Sequence, residues 1–193
     1  VEFKYFKGPK DEMAGYAKKV PCVLCGDVGE GFELGVARVP SRLELDNDGK
    51  YGCYACLRAQ EFEFGHDTPV GMVGEDGLKP FYDQTQPPPE DFDFASAEAL
   101  RWTPGFVTWQ QGVWLTHCNA MMAYLGEWKP NDFRERAEGG DGRALFLAMT
   151  DVDPELWDYE QPEDGSVLQD WGVTYYAFEC LRCGVTKGYY DFP

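Results

Sequence analysis

The alternation and clustering of apolar positions divide this 193-residue chain into a few readable stretches. Near the start, Phe3 and Tyr5 alternate with polar neighbours and predict a short strand. Phe32, Leu34 and Val36 alternate within Gly31–Val39 and predict another. Asp46-Asn-Asp-Gly49 has the composition of a hairpin turn, and Leu57–Phe64 predicts a short helix or strand. Residues 65–92 are rich in Gly, Pro and Asp and contain the stiff spacer Gln86-Pro-Pro-Pro89. Ser96–Trp102 reads as a short helix that stops before Pro104. Residues 102–126 then hold no Asp, Glu, Lys or Arg. Within them Trp114, Leu115, Cys118, Met121, Met122 and Leu125 recur at intervals of three and four. Thr108-Trp-Gln-Gln111 has capping-box spacing, and Gly126 suits a helix C-terminus. A buried central helix of about four to five turns is the expectation. Its glutamines, histidine and asparagine argue against a membrane span. Further on, Ala144–Met149 is an apolar run, buried as strand or helix. Val173–Glu179 is rich in β-branched and aromatic residues and predicts a strand. Gly188–Phe192 closes a hairpin with it.

Set into this pattern are three C-x-x-C pairs: Cys22 and Cys25, Cys53 and Cys56, Cys180 and Cys183. A C-x-x-C turn aims two thiolates at one point, and two such turns make a tetrahedral thiolate site for Zn²⁺. Disulfides fit less well, because seven cysteines is an odd number and no apolar secretory segment opens the chain. A thioredoxin-type redox pair needs a βαβ context that the pattern lacks. Gly26 and Gly184 follow the second cysteine of their pairs, where a tight backbone turn toward the sulfurs is required. One or two structural Zn²⁺ ions are expected. Chain proximity favours Cys22, Cys25, Cys53 and Cys56 together, although three pairings of the units are possible. His117 and Cys118 are further candidates for the Cys180–Cys183 pair. As neighbours on a helix they would point about 100° apart, so the alternative is one buried thiol and one hydrogen-bonded histidine. His66, in a loop, reads as a surface residue.

The predicted fold class is α+β: zinc-ribbon-like β hairpins carrying the C-x-x-C knuckles, packed around the buried central helix. The predicted division is an N-terminal zinc ribbon over 1–66 and a Pro/Gly/Asp-rich connection over 67–95. Residues 96–193 hold the helix and the C-terminal strands and pack with the ribbon as one unit. Charge changes the functional picture. Against 17 basic residues stand 34 acidic ones, a formal −17. Such a chain is repelled by nucleic acid and anionic lipid and attracted to basic partners. Between Asp151 and Leu181 there is no Lys or Arg, and acidic residues alternate with aromatic ones. Asp153, Glu155, Trp157, Asp158 and Tyr159 are therefore candidate partner-binding residues, the alternative being a solvated acidic loop. Without a leader or membrane segment the expected location is cytoplasmic.

Several strings resemble the CbrC-like family of bacterial colicin-tolerance proteins. They are Phe3-Lys-Tyr-Phe6, Cys22-Val-Leu-Cys25-Gly26, Cys53-Tyr-Ala-Cys56, Thr103-Pro-Gly-Phe-Val-Thr-Trp-Gln110, Trp114-Leu-Thr-His-Cys118, Leu125-Gly126 and Tyr176-Ala-Phe-Glu-Cys-Leu-Arg-Cys-Gly184. Trp102 separates Arg101 from Thr103 where that family runs Arg straight into Thr-Pro-Gly, and Met122 stands where a further Cys is common. The resemblance implies a cytoplasmic bacterial protein that protects against a toxin, and it implies no catalytic residue. The leading expectation is thus a non-enzymatic, zinc-stabilised immunity or tolerance protein that neutralises a basic, nuclease-like toxin. A nucleic-acid-binding or regulatory zinc ribbon is one alternative, opposed by the charge. A zinc-dependent enzyme is another, opposed by the absence of H-E-x-x-H, G-x-S-x-G and deaminase-type motifs.

Overall fold

The first C-x-x-C turn joins strands β1 (Tyr16–Pro21) and β2 (Val28–Glu33), which pair antiparallel with Tyr16 opposite Phe32 and Pro21 opposite Val28. The computed structural model describes residues 2–39, 49–64, 69–74, 77–80, 89–110, 112–150, 157 and 174–191. These fall into two compact units: Val1–Asp67 with Phe94–Val107, and Thr68–Asp93 with Thr108–Pro193.

In the first unit a 3₁₀ turn, Leu34–Val36, interrupts the expected strand and leads into β3 (Ala37–Arg38). Strand β4 (Tyr51–Cys53) pairs with β2, so the sheet order is β1-β2-β4. Helix α1 (Tyr54–Arg58) follows at once, then β5 (Glu63–Phe64) pairs with β3. The buried side chains Phe32, Leu34, Leu57, Phe62 and Phe64 form the core. Phe32 and Phe64 meet edge to face with ring centroids 5.2 Å apart, an arrangement that aromatic quadrupoles favour. Gly52 lies against this core: a Cβ there would sit 2.5 Å from the Phe62 ring. Residues 94–107 return to this unit, although the sequence reading set 94–95 in the connection and 96–107 with the C-terminal region. Helix α2 (Phe94–Leu100) ends there, and Arg101 reaches Glu63 at 2.7 Å while its carbonyl accepts the Phe64 N–H.

The second unit begins with β6 (Val70–Gly74) and β7 (Gly77–Pro80), an antiparallel pair within the segment expected to be a bare connection. Strands β8 (Trp114–His117), β9 (Ala120–Met121) and β10 (Ala123–Trp128) occupy the place of the expected central helix. That expectation is overturned. Trp114, Leu115, Met121, Met122, Ala123 and Tyr124 are all buried; in strands packed on both faces adjacent apolar residues replace alternation, so their spacing of three and four marks no helix. Gly126 is no helix stop either: it takes φ 125° where the register shifts between Tyr124 and Gly126, a bulge position. Strand β8 runs parallel to β6, with sheet order β7-β6-β8-β9.

Helices α3 (Pro130–Arg136) and α4 (Gly142–Met149) follow. Asp141 caps α4 by accepting the Ala144 N–H. Strand β11 (Thr174–Glu179) is central in an antiparallel sheet between β10 and β12 (Thr186–Asp191), as its β-branched and aromatic composition predicts. Tyr175 and Ala177 pack with Trp128, Phe133, Phe146, Met149 and Trp157. Phe178, from the alternate register, contacts Trp114, Tyr124 and Tyr189. Burial on both faces suits so apolar a strand. Gly188 is forced by close approach, because a Cβ there would lie 2.5 Å from the Tyr176 carbonyl oxygen.

At the N-terminus residues 2–9 form no named strand. Tyr5 and Phe6 are both buried, which breaks the alternation read there. Among the described residues no helix is long and apolar enough to cross a membrane.

Candidate metal centres

Two of the three C-x-x-C pairs fold into the same local turn. In the first, the Gly26 N–H donates to the Cys22 carbonyl at 2.8 Å and the Cys22 N–H to the Asp27 carbonyl at 2.7 Å. In the other, Gly184 donates to Cys180 at 2.9 Å and Cys180 to Val185 at 2.8 Å. Gly26 (φ 88°) and Gly184 (φ 75°) take the left-handed backbone that such a knuckle needs. Each knuckle is the loop of a hairpin, β1–β2 or β11–β12. The Cys53–Cys56 pair differs. Cys53 ends β4 and Cys56 lies in α1, so this pair sits at a strand-to-helix junction and not on a second hairpin.

The first cluster unites Cys22, Cys25, Cys53 and Cys56, the pairing favoured by proximity. Cys22 and Cys56 sulfurs are 3.8 Å apart and those of Cys25 and Cys53 3.6 Å. The Cys53 N–H points at the Cys22 sulfur from 3.2 Å. The second cluster unites Cys180 and Cys183 with both His117 and Cys118. Cys118 and Cys183 sulfurs are 3.7 Å apart, and His117 Nδ1 lies 3.2 and 3.4 Å from them. The expectation that His117 and Cys118 diverge assumed a helix. They instead close the β8–β9 hairpin, where His117 pairs with Ala120 across a two-residue loop. Cys118 (φ 50°) and Asn119 (φ 54°) both take positive φ, as a type I′ turn demands.

Sequence reading missed the brace around that turn. Arg182, inside the C-x-x-C, donates to the Cys118 carbonyl at 2.8 Å and to the Asp93 carboxylate at 2.9 Å. Asn119 donates to Asp91 at 2.7 Å, and its carbonyl accepts the Asp93 N–H at 2.8 Å. The available signal was Asn119, a residue that tolerates left-handed backbone, between two apolar runs.

Both donor sets fit a single cation. Within each cluster four ligand atoms lie within 4.8 Å of one another. Bonds of about 2.3 Å to sulfur in a tetrahedron give edges of about 3.8 Å, and one bond of about 2.0 Å to nitrogen shortens its edges to about 3.5 Å. The sulfur pairs at 3.6–3.8 Å match the first figure, and the His117 contacts at 3.2 and 3.4 Å fall slightly inside the second. They are far longer than the bond of about 2.0 Å in a disulfide, and all seven cysteines are free. Thiols this close also work against one another. The Cys183 sulfur first, then burial, pushes the Cys118 thiol up to about 11, while the Val185 backbone holds Cys183 below the usual thiol range. In the first cluster burial opposes ionisation of Cys22, but the backbone at Cys25 and Cys53 outweighs it and brings the thiol down to about 6. Burial, reinforced by the Cys53, Cys25 and Cys22 thiols, drives Cys56 far up. A divalent cation relieves this conflict by stabilising all the thiolates at once.

Of the candidate partner-binding residues, Trp157 is 5% exposed and packs against Phe133 and Phe146 with ring centroids 5.8 and 5.3 Å away. Its reading as a docking side chain is therefore corrected, because its large apolar surface is taken up by the core. Asp153, Glu155, Asp158, Tyr159 and His66 lie outside the described residues.

A UPF0167 protein of Mycobacterium bovis and one of Mycobacterium tuberculosis are each 36% identical over 106 residues, which is 54% of this chain and 52% of the relative. The match thus spans about half the length of these curated relatives. No solved structure matches the chain. The profile of UPF0167, described as an uncharacterised protein family, matches residues 1–192, and the chain belongs to that family.

Proposed function

We propose that this chain is a two-zinc, non-catalytic binding protein whose acidic second unit docks on a basic protein partner. The observation that carries this reading is how charge is divided. The first unit holds 13 acidic and 10 basic side chains, the second 21 and 7. The formal −17 of the chain thus belongs almost wholly to the second unit, and such a surface steers basic partners and repels polyanions. The metal centres support a scaffold role. A catalytic zinc keeps an open position for water or substrate, whereas each cluster here supplies four protein ligands. Thiolate-rich tetrahedral sets favour zinc over hard cations. When bound, zinc cross-links the knuckles, and a rigid surface loses little entropy on docking.

The resemblance to CbrC-like colicin-tolerance proteins gives the partner a class: a basic nuclease toxin, met in the cytoplasm and neutralised by occlusion. Eight carboxylates between Asp151 and Asp170 would supply the contact charge, with Trp157 anchoring that run from inside the core. The test has two arms. Metal analysis should return two zinc ions per chain. Binding to purified basic nuclease domains should be retained at low salt and weaken steeply as salt rises. A protein that retains no basic nuclease at low ionic strength is not an immunity protein.

A further inference from the structure

The two clusters differ in what oxidants can reach. In the first, Cys22 and Cys56 are 3% and 7% exposed, Cys53 is half-buried, and of the four only Cys25 is exposed. In the second, Cys118 and Cys183 are both exposed, with sulfurs 3.7 Å apart. Both occupy turns, Cys118 in the two-residue β8–β9 loop and Cys183 in the β11–β12 knuckle. Cys118 also holds φ 50°, a left-handed conformation unfavourable for a residue that carries a β-carbon. Its position depends on Arg182, Asp91 and Asp93, which clamp the turn through Cys118 and Asn119. Accessibility of thiol and partner sulfur is what selects cysteines for oxidation.

We infer that Cys118 and Cys183 are a redox-modification site: hydroperoxides join them as a disulfide, and the second centre then releases its zinc while the first keeps its own. This rests on the two-zinc reading. The Cys183 thiolate attacks a peroxide oxygen, the O–O bond breaks, and a sulfenic acid forms as hydroxide leaves and takes up a proton. The Cys118 thiolate attacks that sulfur, the S–S bond forms, and a second hydroxide leaves to become water. Two thiolates, one hydrogen peroxide and two protons give one disulfide and two waters, with two electrons passing from sulfur to the peroxide oxygens. His117 and Cys180 are then the only ligands left, too few for a tetrahedral site. The sulfurs must close from 3.7 Å to about 2.0 Å, a displacement that two turn residues can supply.

The experiment treats the intact, zinc-loaded protein with one equivalent of hydrogen peroxide. It follows released zinc with a chromogenic chelator and maps disulfides by peptide mass spectrometry. The expected result is one zinc lost per chain and the other retained, with a Cys118–Cys183 disulfide and uptake restored by dithiothreitol. Cys183→Ser, which retains His117, Cys118 and Cys180, should resist peroxide-driven release. If that variant does not hold metal, the disulfide map of the unmodified chain decides. A first disulfide between Cys25 and Cys53, equal loss from both centres, or no loss in excess peroxide overturns the inference and leaves the zinc reading intact. A protein that carries no zinc before treatment overturns both.

Discussion

The two candidate metal centres start from one hairpin knuckle and are completed by different means. At the first, the knuckle of β1–β2 is met by a strand-to-helix junction that brings a second C-x-x-C. At the second, the knuckle of β11–β12 is met by adjacent residues, His117 and Cys118, in the tightest loop a hairpin allows. The first centre joins short strands around a small aromatic core. The second sits at the end of a sheet whose central strand is buried on both sides. One centre thus ties the β1–β2 knuckle to the β4–α1 junction beside the core of Phe32, Leu34, Leu57, Phe62 and Phe64. The other is attached to a unit already held by Trp128, Phe133, Phe146, Trp157 and Tyr175.

The sharpest way to break that contrast is to remove one ligand from each. Structural zinc contributes on the order of 10 kcal/mol to folding. Cys22→Ser should therefore unfold the first unit, visible as lost far-ultraviolet circular dichroism and one missing zinc. Cys180→Ser should cost the other zinc yet leave the near-ultraviolet signal of the second unit's aromatic cluster. Equal unfolding by both variants would erase the distinction.

Next in size are the two close glycines. Gly188→Ala drives a methyl toward a backbone carbonyl, and Gly52→Ala drives one toward the Phe62 ring, each at 2.5 Å. Overpacking of this kind costs about 1–3 kcal/mol. Because a ring can tilt where a β-ladder carbonyl cannot, denaturant melts should show the larger loss for Gly188→Ala. Arg182→Ala removes two hydrogen bonds that brace the Cys118 turn. Loss of such outer partners lowers metal affinity about 10–100-fold, and chelator competition should find that drop at the second centre alone.

The contrast also explains what could be read from the sequence. A knuckle is local: four residues and a following glycine specify it, so Cys22–Gly26 and Cys180–Gly184 were legible. So was β11, whose residues suit a strand whatever surrounds it. The β8–β10 region was not legible, because runs of adjacent buried residues such as Trp114-Leu115 and Met121–Tyr124 mask the alternation from which a strand is read. With the helix wrongly assigned, His117 and Cys118 could not be aimed at one point. Trp157 shows the converse: flanking carboxylates suggested a surface, while the ring belongs to the core. The brace of Asp91, Asp93 and Arg182 joins positions some ninety residues apart in the chain, and no local pattern announces such a contact.

The smallest effect concerns the first unit's surface. Glu30 accepts from Lys10 at 2.8 Å and from Tyr16 at 2.8 Å. The Lys10 hydrogen bond first, then that of Tyr16, lowers its pKa. A carboxylate depressed on folding stabilises at pH values above its unfolded value of about 4.3 and loses that contribution as pH falls through the folded one. Because the pair is exposed, Glu30→Gln should lower Tm only slightly at neutral pH, and the difference from the unmodified chain should vanish in acid. A difference that persists below the folded pKa would show that packing, not charge, was lost.

The order in which the ligands appear along the chain carries a consequence for biosynthesis. Cys22, Cys25, Cys53 and Cys56 all emerge from the ribosome before α2 has been made, so the first centre can capture its ion on a nascent, incomplete unit. His117 and Cys118 must wait for Cys180 and Cys183, which complete the second ligand set only when β10 and β11 have been synthesised and β12 alone of that sheet is still to come. Metal scarcity during translation would therefore strike the first unit early in its assembly, and the second only near the end of the chain.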